Sequence, residues 1–239
     1  MADIVLEVCV EDAAGLGAAL RGGAGRIELC SALALGGLTP SPGLMQAAQN
    51  AGRPVMVMIR PRAGDFIWSS EDLRQMRGDI AAARALGLAG VVLGASRPDG
   101  RLDEWLLSTL IDEAQGMDLT LHRCFDLTPD KSVALETAVQ LGFSRILTSG
   151  GARTAPQGAE TLARLMQQAG SRIAILPGSG ISPATLPQLA HLPLREVHAS
   201  CSMAEPVAGA IADLGFGPAE RRVTSESAVR ALVAALAAL

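Results

Sequence analysis

The sequence has no block of like charge. Its 20 lysines and arginines interleave with 24 aspartates and glutamates, for a formal net charge of −4. It therefore lacks the basic face that nucleic-acid binding requires. A membrane span is absent as well, because the longest apolar stretch, AVRALVAALAAL at the C-terminus, is too short to cross a bilayer and is interrupted by Arg230. The opening MADIVLEVCVE has no basic segment followed by an apolar stretch and a cleavage site. It reads as a first strand rather than a signal peptide, so a cytoplasmic location is expected. The four cysteines form no CxxC pair, which argues against a zinc ribbon or a disulfide scaffold and for reduced thiols.

What is present is a repeat. Apolar runs rich in Val, Ile and Leu alternate with Ala-rich stretches of helical spacing, the runs starting at Ile4, Arg26, Val55, Gly90, Asp118, Arg145, Ile173 and Glu196. The spacing is that of a βαβ unit. Ser69 with Asp72 forms a capping-box pattern, and Ser182 followed by Pro183 predicts the start of a seventh helix. Gly52, Gly87 and Gly142 fall where helices turn back into the next strand. Strand and helix alternating throughout predicts one α/β domain over residues 1–239, a TIM-like (β/α)8 barrel, with an open doubly wound sheet as the alternative.

Alternate residues of a barrel strand face the helices and the interior. With Leu6, Val8 and Val10 toward the helices, Glu7, Cys9 and Glu11 turn to the axis; Ile27 and Leu29 likewise leave Glu28 and Cys30 inward. Thr120, His122, Cys124 and Asp126 share the inner parity on the fifth strand, as do Glu196, His198 and Ser200 on the eighth. Arg123 is then outward, or its strand is bulged. Arg60 and Arg62 share parity across Pro61, whose fixed φ aims both guanidinium groups. Active sites of barrels lie at the C-terminal ends of strands. Glu7, Glu28, Arg60, Arg62, His122, Asp126 and His198 are accordingly the catalytic candidates.

Paired arginines suit a carboxylate or phosphate, which makes a small anionic molecule the expected partner. Asp65 belongs to a candidate lid loop after Arg62, and the Gly-rich segments holding Ser149 and Gly150, and Gly178, Ser179 and Gly180, expose backbone amides able to cradle an anion. Within such a pocket His122 or Glu28 could act as general base, for an isomerase, a lyase or a hydrolase. Cys9, Cys30 and Cys124 share the inward parity of His122 and His198, a sulfur and imidazole set suited to Cu(I), although cysteine also serves as a small core hydrophobe. The histidines with Glu7, Glu28 or Asp126 would suit a harder divalent ion. A barrel that binds nothing, its charges merely filling the interior, is the third reading.

Taken in order from Glu7 to Ser200, the motifs EVCVE, RIELCSALALGGLTPSPG, VMIRPRAGDF, HRCFD, RILTSGG, PGSGI and HAS resemble those of the CutC copper-homeostasis family. The resemblance implies a TIM-like barrel, a cytoplasmic homo-oligomer, and an association with copper tolerance and copper binding. It places Glu7, Glu28, Arg60, Arg62, Asp65, His122, Arg123, Asp126 and His198 at pocket positions. The chain departs from the pattern at Cys124, where Ala is usual, at Ser179, where Gly is common, and at Trp68, where Tyr often stands; it contains no tyrosine.

Overall fold

The structure is a computed structural model that describes residues 4–216 and 218–239. Eight parallel strands run β1 (Val5–Val10), β2 (Arg26–Leu29), β3 (Val55–Met58), β4 (Gly90–Leu93), β5 (Asp118–Leu121), β6 (Arg145–Thr148), β7 (Ala174–Pro177) and β8 (Glu196–Ala199). They pair in the order β7-β6-β5-β4-β3-β2-β1-β8. The two ends of this order lie side by side, so the sheet is a nearly closed barrel with one seam, between β7 and β8. This is the (β/α)8 arrangement expected from the repeat.

Six helices fill the connections up to β7: α1 (Ala13–Gly22), α2 (Pro42–Ala48), α3 (Ser70–Ala85), α4 (Glu104–Glu113), α5 (Lys131–Gln140) and α6 (Ala159–Ala169). Most begin where a short polar side chain satisfies a free amide: Asp12 accepts from Gly15, Ser41 from Leu44, Asp103 from Leu106 and Asp130 from Ser132 and Val133. Ser69 and Asp72 form the full reciprocal capping box. The helix anticipated after Ser182 does not form; a 3-10 turn at Leu186–Leu189 takes its place. Pro187, which has no N–H to donate, sits inside that segment and Pro193 closes it. Ser182 instead exchanges hydrogen bonds with Thr185.

After β8 the chain leaves the barrel as an antiparallel arm, β9 (Ser202–Pro206) and β10 (Glu220–Thr224), with the short helix α7 (Ala210–Asp213) between them. The closing helix α8 (Glu226–Ala237) returns to pack on α1. Gly22 permits this approach, since a methyl there would overlap Val229.

Leu6, Val8, Val10, Ile27 and Leu29 join the helices in a continuous apolar layer outside the barrel. Inside, a small separate cluster of Cys30, Met56, Met58 and Val92 fills one side. The rest of the barrel interior is largely polar, a costly arrangement unless every charge finds a partner.

Candidate functional site

The lower, N-terminal half of the barrel holds a chain of ion pairs. Arg26, the first residue of β2, donates through Nε to Glu7 and through its terminal nitrogen to Glu196 at 2.7 Å. Glu196 lies 3.5 Å from Arg145, which pairs with Asp118 at 2.6 Å and donates to Thr120 at 3.0 Å. Glu7, Arg26 and Glu196 are all buried. The pairing register places Glu7 opposite Arg26 on one side and opposite His198 on the other. Parallel strands at those registers thus make Glu7 the link between the ionic chain below and the site above.

Glu7 Oε1 lies 2.8 Å from His198 Nδ1. This contact turns Nε2 of His198 toward Glu28, 3.9 Å away. Although burial alone would raise the Glu7 carboxyl, its bonds to His198 and Arg26 hold it down at about 2. Burial likewise opposes the His198 cation, but the surrounding carboxylates raise its pKa well above the ordinary value. The Glu28 carboxyl is pushed upward, by burial first, against the pull of His198.

Above this level a cavity of about 920 Å³ opens at the C-terminal mouth of the barrel, lined by Cys9, Glu28, Arg60, Phe66, His122 and His198 among others. Three buried polar atoms on its lining residues have no hydrogen-bond partner among the described residues: Glu28 Oε1, His122 Nε2 and Arg60 Nε. The remaining groups of these side chains are well anchored. Arg60 donates to the carbonyls of Leu35, Gly37 and Gly64, and its guanidinium lies over the Phe66 ring. His122 Nδ1 accepts from the Cys124 amide at 3.2 Å, so the proton of the neutral ring is carried on Nε2. Burial and the Arg60 charge hold the imidazole neutral, its pKa lowered to about 3. Phe66 packs against it at 4.7 Å between ring centroids.

The other sequence candidates are divided by tertiary structure. Arg62 lies outside the cavity, paired with Asp65 and Asp72 at 3.1 Å each and stacked on Trp68. Asp65, its partner, is exposed. Strand geometry ends at His122, where residues 123–127 wind into a 3-10 turn. Arg123 is thereby brought to the cavity, whereas Cys124 is buried off its lining, its sulfur crowding Gly94 beside the His122 ring. Asp126 accepts from the amides of Ser149 and Gly151 and from Arg123, bracing the loop that holds Ser149 and Gly150. Gly178 lies at the seam against Leu147 and His198, while Ser179, Gly180 and Ser200 line the mouth.

Of the three cysteines offered as metal ligands, Cys9 is the one that, among the described residues, joins a three-donor group: its sulfur, a Glu28 oxygen and a His198 nitrogen lie within 4.8 Å of one another. Cys30 instead donates to Glu28 at 3.4 Å. Arg26 escaped the sequence reading although it shares parity with Glu28. It stands at the start of RIELC, where the strand was taken to begin rather than to carry an inward charge.

Fold and site together define an α/β barrel of the TIM class with a buried polar cavity at its C-terminal mouth. Comparison with known proteins narrows this. The CutC family model matches residues 4–203. A CutC family protein of Sinorhizobium medicae is 58% identical, the alignment covering 99% of this chain and 97% of that protein. One from Caulobacter vibrioides is 51% identical, covering 99% and 98%. The crystal structure of CutC from Streptococcus agalactiae, which bears a provisional copper-homeostasis name, superposes with a TM-score of 0.79 at 31% identity, covering 82% of this chain and 98% of that one. The chain belongs to the CutC family. Thiamine phosphate pyrophosphorylase from Pyrococcus furiosus, at 12% identity and a TM-score of 0.59, shares the fold alone. Among the described residues no helix is long and apolar enough to cross a membrane.

Proposed function

We propose that this barrel is an enzyme that binds a small anionic carbonyl compound and moves a proton on the carbon beside the carbonyl. The observation that carries this reading is that three side chains lining one cavity, Glu28, His122 and Arg60, each hold a buried polar atom with no hydrogen-bond partner among the described residues. Unpaired buried polar atoms are expensive, so a cluster of them calls for a ligand. Their chemistry is complementary. Glu28, with its pKa raised by burial, suits a base that takes up and returns a proton. As the Glu28 carboxylate removes the proton, the C–H electron pair becomes a C=C bond and the carbonyl oxygen takes up negative charge. The neutral His122 Nε2–H and the Arg60 guanidinium are donors for that oxygen. On a substrate whose reacting carbon bears a hydroxyl, that hydroxyl's proton passes to the former carbonyl oxygen and Glu28 returns its proton to the former carbonyl carbon, which completes an isomerisation.

The test is proton exchange in D2O, followed by NMR, with a panel of phosphorylated and carboxylated carbonyl compounds. Exchange at the carbon beside the carbonyl is expected in the wild type and not in Glu28→Gln. A panel that yields neither exchange nor a thermal shift rejects the reading.

Copper binding is a second reading, favoured by the Cys9, Glu28 and His198 donors. Glu7 orients His198 as outer carboxylates orient metal-bound imidazoles. The set is chemically mixed, however: one thiol and one imidazole suit Cu(I), whereas the carboxylate suits a harder ion. Binding would also require His198 to shed the proton that its carboxylate neighbours stabilise. Anaerobic Cu(I) titration decides: stoichiometric binding lost in Cys9→Ser but kept in Cys124→Ser supports it, and no binding by the wild type rejects it.

A further inference from the structure

The loop after β7 presents three consecutive amides, those of Ser179, Gly180 and Ile181, that donate to no acceptor among the described residues. All three residues line the cavity. The loop takes an unusual path, with φ of 76° at Ser179 and 71° at Gly180. Left-handed backbone is unfavourable for a residue with a Cβ, so Ser179 must be held there. Its carbonyl accepts from the Ala155 amide at 2.9 Å and its hydroxyl donates to the Arg153 carbonyl at 2.9 Å. Gly180 abuts Thr154 so closely that a Cβ would stand only 2.9 Å from it. The amides are therefore fixed by the β6 loop rather than free to find other partners.

In barrel order this loop lies between two cations that also line the cavity. From the β5 and β6 side comes Arg123, anchored by Asp126 and by Ser149 Oγ at 2.7 Å. From the β8 side comes Arg222 of the arm, which donates only to the hydroxyl and carbonyl of Ser202, at 2.9 and 2.8 Å, and has no carboxylate within 4 Å among the described residues. Acidic groups at the mouth are otherwise engaged or outlying: Glu11 accepts from the Leu33 amide, Asp12 caps α1, and Glu220 is exposed on β10.

We infer that the cavity binds a phosphomonoester end-on. Its phosphate rests on the amides of Ser179, Gly180 and Ile181 between Arg123 and Arg222, and its carbonyl end reaches Glu28, His122 and Arg60. The inference rests on the small-anion reading above and specifies its substrate class. Three amide donors with two guanidinium groups match the terminal oxygens of a phosphate, where a carboxylate would leave donors unused. Arg222 sets specificity for the phosphate end and has no role in proton transfer.

Inorganic phosphate and acetate, titrated separately into the full-length protein with calorimetric readout, test the assignment. Saturable phosphate binding is expected, with none for acetate. Arg222→Met, a change at an exposed arm residue that leaves the barrel intact, is expected to weaken phosphate binding about tenfold or more, as loss of a charge-assisted contact should. Arg60→Met should change it by less than about twofold, because Arg60 serves the other end. Weakening by Arg60→Met without weakening by Arg222→Met overturns the orientation while sparing the small-anion reading. Absence of phosphate binding to the wild type overturns the inference itself; the proton-exchange panel, which includes carboxylated compounds, then decides the broader reading separately.

Discussion

Glu7 Oε1 and His198 Nδ1, brought opposite each other by neighbouring parallel strands, lie 2.8 Å apart inside the barrel. The pair joins the ionic chain of the lower barrel to the cavity above it. Each partner favours the charged form of the other: His198 and Arg26 hold the carboxyl at about 2 against burial, and the imidazolium persists well above its usual range against burial, through the Glu28 charge first and the Glu7 hydrogen bond in addition.

Removing the carboxylate charge with Glu7→Gln should therefore lower the His198 pKa, as read from the imidazole C–H resonance in an NMR titration. A depressed carboxyl pKa stabilises the fold above its unfolded value of 4.5, and that contribution disappears as pH falls toward about 2. The stability gap between wild type and Glu7→Gln should thus be open at neutral pH and close on acidification. An unchanged His198 titration would show that Glu7 does not control the imidazole.

Arg26 bridges Glu7 and Glu196 inside the barrel. Arg26→Leu leaves two buried carboxylates without their shared cation, a defect costing about 3–5 kcal/mol. The denaturation midpoint should fall accordingly with little change in slope. Loss of less than about 1 kcal/mol would mean that water or rearranged partners already serve these groups.

His122 is buried neutral, with its pKa lowered from 6.5 to about 3, by burial first and by the Arg60 charge second. Between those values the unfolded chain binds a proton that the folded chain refuses, so this term lowers stability as pH falls from 6.5 toward 3. Urea unfolding across that window should show a shallower pH dependence in His122→Asn than in wild type. Parallel curves would remove His122 as the source.

Arg60 and Arg62 flank one proline yet have different surroundings, one buried with a free Nε at the cavity and the other paired with Asp65 and Asp72 outside it. Arg62→Met should shift stability by about 1 kcal/mol or less, as for exposed pairs, and leave proton exchange on a responding carbonyl compound intact. Arg60→Met should reduce that exchange by about 10²-fold or more, through loss of an oxyanion donor. Equal effects in both variants would contradict the assignment of Arg60 alone to the carbonyl end.

Much of this architecture is legible in the chain. Strand parity turned Glu7, Cys9, Glu28, His122 and His198 inward, and all five lie inside the barrel or at its cavity. The reading loses accuracy where the backbone leaves strand geometry. Past Pro61 parity no longer governs Arg62, and the 3-10 turn after His122 brings Arg123 to the cavity while leaving Cys124 buried off its lining. Pro187 likewise reduces an anticipated helix to a turn. The arm that brings Arg222 to the mouth has no local signature of where it will dock.

The eightfold alternation and the inner or outer side of each strand residue are local properties, dictated by periods of 2.0 and 3.6 residues that the sequence alone contains. Which inward residues meet is a different matter. Glu7 reaches Arg26 and His198, and Glu28, His122 and Arg60 come to line one cavity, because the strands pair at particular registers around a nearly closed sheet. That stagger belongs to the barrel as a whole, so the tertiary structure decided the site that the sequence could only supply with residues.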